Sequence, residues 1–155
     1  MRLTSQAFAP GAWIPVRHTC DGTNVSPPLA WADPPAATRS FVLVCSDPDA
    51  PGRTWYHWGI YDIPPEARGL SENWSPMRSF PPQAINDFRR RGYGGPCPPR
   101  GAPSHHYHFR LYALRVSQLG LGAGALCPDV EAAARMQAID SCELIGLYGR
   151  GQREP

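Results

Sequence analysis

Side chains able to move protons or hold an anion fall at the borders of three short stretches. Asp47 and Asp49 lie in "SDPDAP", His57 in "WYHW", and His105 with Tyr107 in "SHHYHF". Two carboxylates could carry acid–base chemistry, and two histidines with an aspartate could hold a metal ion. Neither use has a tight signature here. The chain lacks an H-x-x-x-H helix pattern, a G-x-S-x-G nucleophile turn and a phosphate-cradling G-x-x-x-x-G-K. No catalytic set, metal site or cofactor is therefore assigned. Asp49, between prolines, suits a backbone cap of its own turn better than Asp47 does. His57 reads either as a packed ring satisfied by a backbone carbonyl or as a pocket group, and His105 carries the same two readings. Cys97, flanked by Pro96 and Pro98, has no base nearby in sequence and reads as a small packing residue.

The elements that must position these groups are mostly strands. "TRSFVLVCSD" is an apolar run of the kind found in buried strands, and it stops at Pro48, so Asp47 sits extended at the strand exit. "WYHWGIYDI" resumes a strand. Strict alternation puts Trp55, His57, Gly59 and Tyr61 on one side, and Tyr56, Trp58, Ile60 and Asp62 on the other. "HHYHFRLYALRV" alternates with His105, Tyr107, Phe109 and Leu111 on one face, opposite His106, His108 and Arg110. The stretch from Pro64 to Gly92 is poorly patterned and too rich in proline for a long helix. "PDVEAAARMQAI" is the best helix, with Pro128 in the first turn and Asp129 and Glu131 near its N-terminal end. "CELIGLYGR" closes as a strand.

Composition narrows the possibilities. The chain has 155 residues, 19 of them proline and 15 glycine, spread along its length, which favours short strands joined by ordered turns. One domain over residues 1–155 is the expectation. Fifteen basic and 13 acidic residues leave a formal charge of +2, too little for strong phosphate-backbone binding, so no nucleic-acid partner is expected. The run Arg89–Arg91 reads as a solvated turn or a local source of positive potential. With no signal-peptide core and no apolar stretch of membrane length, a cytoplasmic protein without stable membrane insertion is expected. Five cysteines at wide spacings do not resemble a small secreted disulfide framework, and no C-x-x-C pair supports a zinc knuckle.

Several ordered blocks resemble the phosphatidylethanolamine-binding family, also called Raf kinase inhibitor-like, and in particular its small bacterial branch. They are "DPDAP" followed by "WYHW", "GYGGPCPPRG" followed by "HHYHFRLYAL", and "CDGTNVSPPLAW", "NDF" and "ELIGLYGR". The resemblance implies a mainly β fold, a compact antiparallel β-sandwich with a short C-terminal helix, and a small anion-binding cavity near one end. By the same resemblance Asp47, His57, His105 and Tyr107 line that cavity, Asp49 supports its rim, and Cys97, Pro98 and Pro99 supply its wall. His106 takes a position that is commonly arginine in the family.

A phosphorylated group can accept bonds from imidazole N–H, tyrosine O–H and turn amides. Asp47 is the difficult member: it must meet a cationic headgroup, orient a histidine, or share a proton with the ligand. The leading expectation is a noncatalytic binding protein for a small phosphorylated or other anionic ligand, with a possible regulatory role. The alternatives are a protein-interaction module whose pocket is structural, with an unidentified protein partner, and a small phosphoester hydrolase. If both histidines donate as cations, affinity for an anion should fall as pH rises through roughly 6 to 7.

Overall fold

A computed structural model describes residues 1–151 of the chain. Its strands are β1 (Arg2–Thr4), β2 (Leu29–Ala32), β3 (Ser40–Asp47), β4 (Trp55–Ile63), β5 (Gly69–Leu70), β6 (His105–Leu114) and β7 (Ala138–Tyr148), with helix α1 (Cys127–Gln137) between the last two. A four-stranded antiparallel sheet has the order β4-β3-β6-β7, and a smaller antiparallel sheet the order β1-β2-β5. The fold is mainly β, with the helix near the C-terminal end, as the sequence leads one to expect.

All eight residues of β3 are buried, because both faces of the large sheet are covered. Phe41, Leu43 and Cys45 join Phe109, Leu111 and Trp58 in a core shared with Leu3, Leu29 and Trp31 of the small sheet. Val42 and Val44 face the other way, with Tyr112, Leu114 and the helix residues Val130 and Ala134. A strand packed on both sides reads as a continuous apolar run rather than an alternation, which is the pattern of "FVLVC". In α1 the buried positions Cys127, Val130, Glu131 and Ala134 follow one helical stripe. Glu131 stays buried because its two oxygens accept from the Tyr56 and Tyr112 hydroxyls at 2.8 and 2.9 Å.

β4 departs from strict alternation. Cys45 pairs with Trp58 and Ser46 with Tyr56, so His57 is the extra residue of a β-bulge. A second irregularity pairs Phe41 with Ile63 and Leu43 with Ile60, and there Asp62 takes a positive φ of 52°. Tyr56 and Tyr61 consequently face the helix, while Trp58, Ile60 and Ile63 all enter the inter-sheet core. Gly59 also lies on the helix side, where a Cβ would meet Cys127 at 3.0 Å. His57 therefore does not share a face with Gly59 and Tyr61, because the bulge turns its ring to the opposite side.

Candidate functional site

The antiparallel order β4-β3-β6 brings the end of β3 beside the starts of its two neighbours. Asp47 closes β3 opposite Trp55, and Ser46 pairs with His108, so Asp47 meets the β6 stretch that begins at His105. Asp47, His57, His105 and Tyr107 are all buried, each no more than 6% exposed. The bulge lays the His57 ring edge-on to Tyr107, with centroids 5.3 Å apart, and Tyr107 lies nearly parallel to His105 at 6.4 Å.

The hydrogen bonds fix which ring nitrogen does what. Asp47 Oδ2 lies 2.6 Å from His105 Nδ1, and Asp47 Oδ1 accepts the Asp49 amide at 2.8 Å. His57 Nδ1 lies 2.6 Å from the Gly94 carbonyl oxygen. A carbonyl and an ionised carboxylate can only accept, so both Nδ1 atoms carry hydrogen and Nε2 is left as each ring's remaining polar atom. Of the roles open to Asp47, this geometry selects that of orienting His105. The backbone-carbonyl reading of His57 and its pocket reading hold together, since one nitrogen serves each.

Burial lowers the His57 pKa below the ordinary histidine value, and it outweighs the opposing pull of the Gly94 carbonyl and the Asp47 charge. Burial, reinforced by Asp47, pushes the Tyr107 phenol far above its usual range and keeps it a proton donor. That hydroxyl is buried and has no hydrogen-bond partner among the described residues, and neither has the buried Trp55 indole N–H.

A cavity of about 250 Å³ opens beside these groups, lined by Asp47, His57, His105 and Tyr107 and by Ala50, Pro51, Trp55, Phe88, Cys97, Pro98 and Pro99. Its far wall belongs to the segment 93–99, which is anchored to the N-terminal part of the chain. The Tyr93 hydroxyl donates to the His18 carbonyl at 2.6 Å, and the Gly95 amide to Asn24 Oδ1 at 2.9 Å. Glycine is required where these backbones touch: a Cβ on Gly95 would sit 2.3 Å from the His18 carbonyl oxygen, and one on Gly94 would enter the Phe88 ring at 2.5 Å.

Cys97 departs from the sequence reading. It is not a free packing residue but half of a disulfide with Cys20, and its side of the wall is exposed. The bridge spans a sequence separation of 77, which no local spacing reveals. Asp49 stands just outside the cavity. Its Oδ2 accepts from both the His106 amide and Nδ1, at 2.8 and 2.7 Å, and these bonds hold its carboxyl below the usual range although burial alone would raise it. At the position after His105 it is thus a histidine, His106, that pairs with the rim aspartate. Arg89, Arg90 and Arg91 are exposed in a turn built on Asn86 and do not line the cavity.

Residue reasoning alone passed over Trp55 and Phe88 as walls and Gly94 as the acceptor for His57. "NDF" carried the signal for Phe88, since Asn86 Oδ1 accepts the Phe88 amide at 2.9 Å and fixes the turn that presents its ring. Asp87 of the same turn accepts the Tyr56 amide at 2.7 Å and ties that turn to β4.

The model of the family described as phosphatidylethanolamine-binding protein matches residues 4–149. The chain belongs to that family. A relative from Aquifex aeolicus, named UPF0098 protein, is 47% identical over 152 residues, covering 97% of this chain and 89% of its own. A Mycobacterium tuberculosis relative named putative lipoprotein LppC is 39% identical over 148 residues, covering 96% of this chain and 72% of its own. The crystal structure of Escherichia coli YbcL, described as a new member of the mammalian PEBP family, superposes with a TM-score of 0.89 at 30% identity, covering 96% of this chain and 97% of that one. Family membership and the β fold thus rest on similarity over nearly the whole chain.

Proposed function

We propose that this phosphatidylethanolamine-binding family member is a noncatalytic binding protein for a small phosphorylated or related anionic group, with a regulatory role exercised through what it binds. The observation that carries this reading is the pair of cavity-lining histidines whose Nδ1 atoms are held by Asp47 and Gly94, leaving Nε2 of each ring for a ligand. Tyr107 adds a hydroxyl without an internal partner, and the apolar walls strengthen any polar contact made inside. Hydrolysis is less well supported, because Cys97, which lines the cavity, is held in the disulfide and is no free thiol nucleophile. Calorimetric titration of inorganic phosphate at pH 6 tests the reading. Saturable binding that disappears in a folded H105A variant is the expected result, and heats of dilution alone in the unaltered protein would refute it.

The protein-interaction alternative draws on a different region. Met77 and Phe80 are 88% and 62% exposed, and Arg78 lies over the Trp74 ring at 3.9 Å, making an apolar, cationic surface on the segment after β5. A partner captured by the unaltered chain and lost with M77S/F80S would favour that alternative.

Among the described residues no helix is long and apolar enough to cross a membrane. On compartment, the disulfide weighs against the cytoplasm expected from the sequence, since such bridges persist chiefly where thiols are not kept reduced. We therefore place the protein's action in an oxidising compartment.

A further inference from the structure

The hydrogen atoms around the two histidines constrain the protonation state of the ligand, granted that the cavity binds a phosphorylated group. His57 is the stricter of the two. Its Nδ1 hydrogen is committed to the Gly94 carbonyl at 2.6 Å, so the neutral ring offers a lone pair at Nε2. The groups around that ring are Asp47 at the end of β3, Asp87 and Phe88 in the turn 86–91, His105 and Tyr107 on β6, and the Gly94–Gly95 backbone. No arginine or lysine lines the cavity among the described residues. Arg53, at the rim, is exposed, lies over the Trp55 ring at 5.3 Å, and is 3.6 Å from Asp87. Burial therefore keeps the His57 ring neutral near pH 7.

Asp47 sharpens the constraint. Both of its oxygens already accept internal hydrogens, from Asp49 and His105, yet its charge remains beside the cavity and repels a fully ionised oxyanion. An oxyanion carrying only acceptors meets a lone pair at His57 Nε2 and a carboxylate behind it. A phosphomonoester monoanion instead brings a P–O–H, which can donate to Nε2 while its other oxygens accept from the unpartnered Tyr107 hydroxyl. Sulfate at these pH values has no such hydrogen, and a phosphodiester has none either. A site that leaves a buried polar atom facing the wrong partner discriminates strongly.

We propose that the cavity takes a phosphomonoester or inorganic phosphate as its monoanion, the P–O–H donating to His57 Nε2, and rejects sulfate and phosphodiesters, including the intact headgroup of a diester phospholipid.

The test is calorimetry on the unaltered protein at fixed ionic strength with methyl phosphate, dimethyl phosphate, glycerophosphoethanolamine and sulfate, at pH 6 and pH 8. With a second phosphate pKa near 6, the monoanion share drops from about a half to about one-hundredth, so the methyl phosphate affinity should weaken about 50-fold between the two pH values. At pH 6 the other three ligands should bind at least roughly tenfold more weakly than methyl phosphate. Nitrogen-15 shifts of the methyl phosphate complex should leave His57 Nε2 in the unprotonated range. Sulfate or dimethyl phosphate binding as tightly as methyl phosphate, or an Nε2 that gains a hydrogen on binding, would overturn the proposal while leaving anion binding intact. Glycerophosphoethanolamine alone matching methyl phosphate would overturn the exclusion of the lipid headgroup. Heats of dilution from all four ligands would overturn the anion-binding reading itself, and this proposal with it.

Discussion

Asp47 Oδ2 and His105 Nδ1 meet at 2.6 Å across the ends of β3 and β6, and the other Asp47 oxygen holds the Asp49 amide at 2.8 Å. Two hydrogens thus converge on one buried carboxylate, and the pair fixes both the tautomer of the histidine and the start of the proline turn. An asparagine in that place has one acceptor oxygen and an NH₂. Its oxygen can keep the Asp49 amide only by turning the NH₂ to His105, whose ring must then move its hydrogen from Nδ1 to Nε2 to accept it. Asp47→Asn should therefore destabilise the fold by about 1 kcal/mol, the difference between hydrogen bonds to a charged and to a neutral partner, read as a lower urea midpoint at unchanged slope. An unaltered midpoint would mean that the carboxylate is not held from both sides.

His57 gives the stability a pH dependence with a definite sign. Its folded pKa lies below the unfolded value of about 6.5, because burial disfavours the cation. The unfolded chain then binds the extra proton first. The His57 contribution is fully present above pH 6.5 and is lost as pH falls from there toward the lower folded value. Urea midpoints measured from pH 7.5 down to pH 5 should decline in the unaltered protein, and the decline should shrink in a folded His57→Gln variant. The reverse slope would place a cation on the folded ring.

Much of this arrangement was legible in the residues. β3 was readable because burial on both faces leaves a continuous apolar run, and β6 because its inward face alternates from His105 to Ala113. That alternation is also what separates buried His105 from exposed His106, which pairs with Asp49 instead. Alternation failed on β4, where the bulge at His57 depends on how β3 pairs with it, a matter of register that a single strand's sequence does not contain. The Cys20–Cys97 bridge was hidden for a similar reason: the two cysteines become neighbours only once the segment 93–99 has docked on residues 18–24. The family blocks grouped the pocket residues, but the assignment of donors and acceptors came from the geometry.

The docked segment offers its own test at Gly95. A methyl group there would lie 2.3 Å from the His18 carbonyl oxygen and 2.5 Å from Asn24 Oδ1, and the former is backbone that cannot rotate away. Gly95→Ala should cost about 1–3 kcal/mol through forced displacement of that contact. Since His57 hangs on the adjacent Gly94 carbonyl, phosphate affinity should drop as well. Gly101→Ala at the neighbouring turn, where a Cβ meets nothing within 4 Å, is the control for affinity: it strains the backbone locally, at a φ of 78°, without touching the wall. Loss of phosphate binding in the Gly101 variant but not in the Gly95 variant would contradict this account of the wall.

The disulfide should matter to both stability and ligand binding. Cys20 and Cys97 are separated by 77 positions, and closing a loop of that length removes unfolded-state freedom corresponding to about 4 kcal/mol in the chain-entropy model. Cys20→Ser/Cys97→Ser should accordingly lower the urea midpoint substantially. Cys97 and Pro98 also form cavity wall, and although the Cys20 amide still donates to the Pro96 carbonyl at 3.0 Å, the covalent tie that limits the wall's motion is gone. Phosphate should then bind more weakly under conditions where the variant remains fully folded. Alkylation of cells in their native state, followed by mass mapping of Cys20 and Cys97, reads the bridge where the protein works. Both thiols blocked as the oxidised pair is the expected result for an oxidising compartment, whereas two freely alkylated thiols would return the protein to the cytoplasm and leave the bridge without a part in its function.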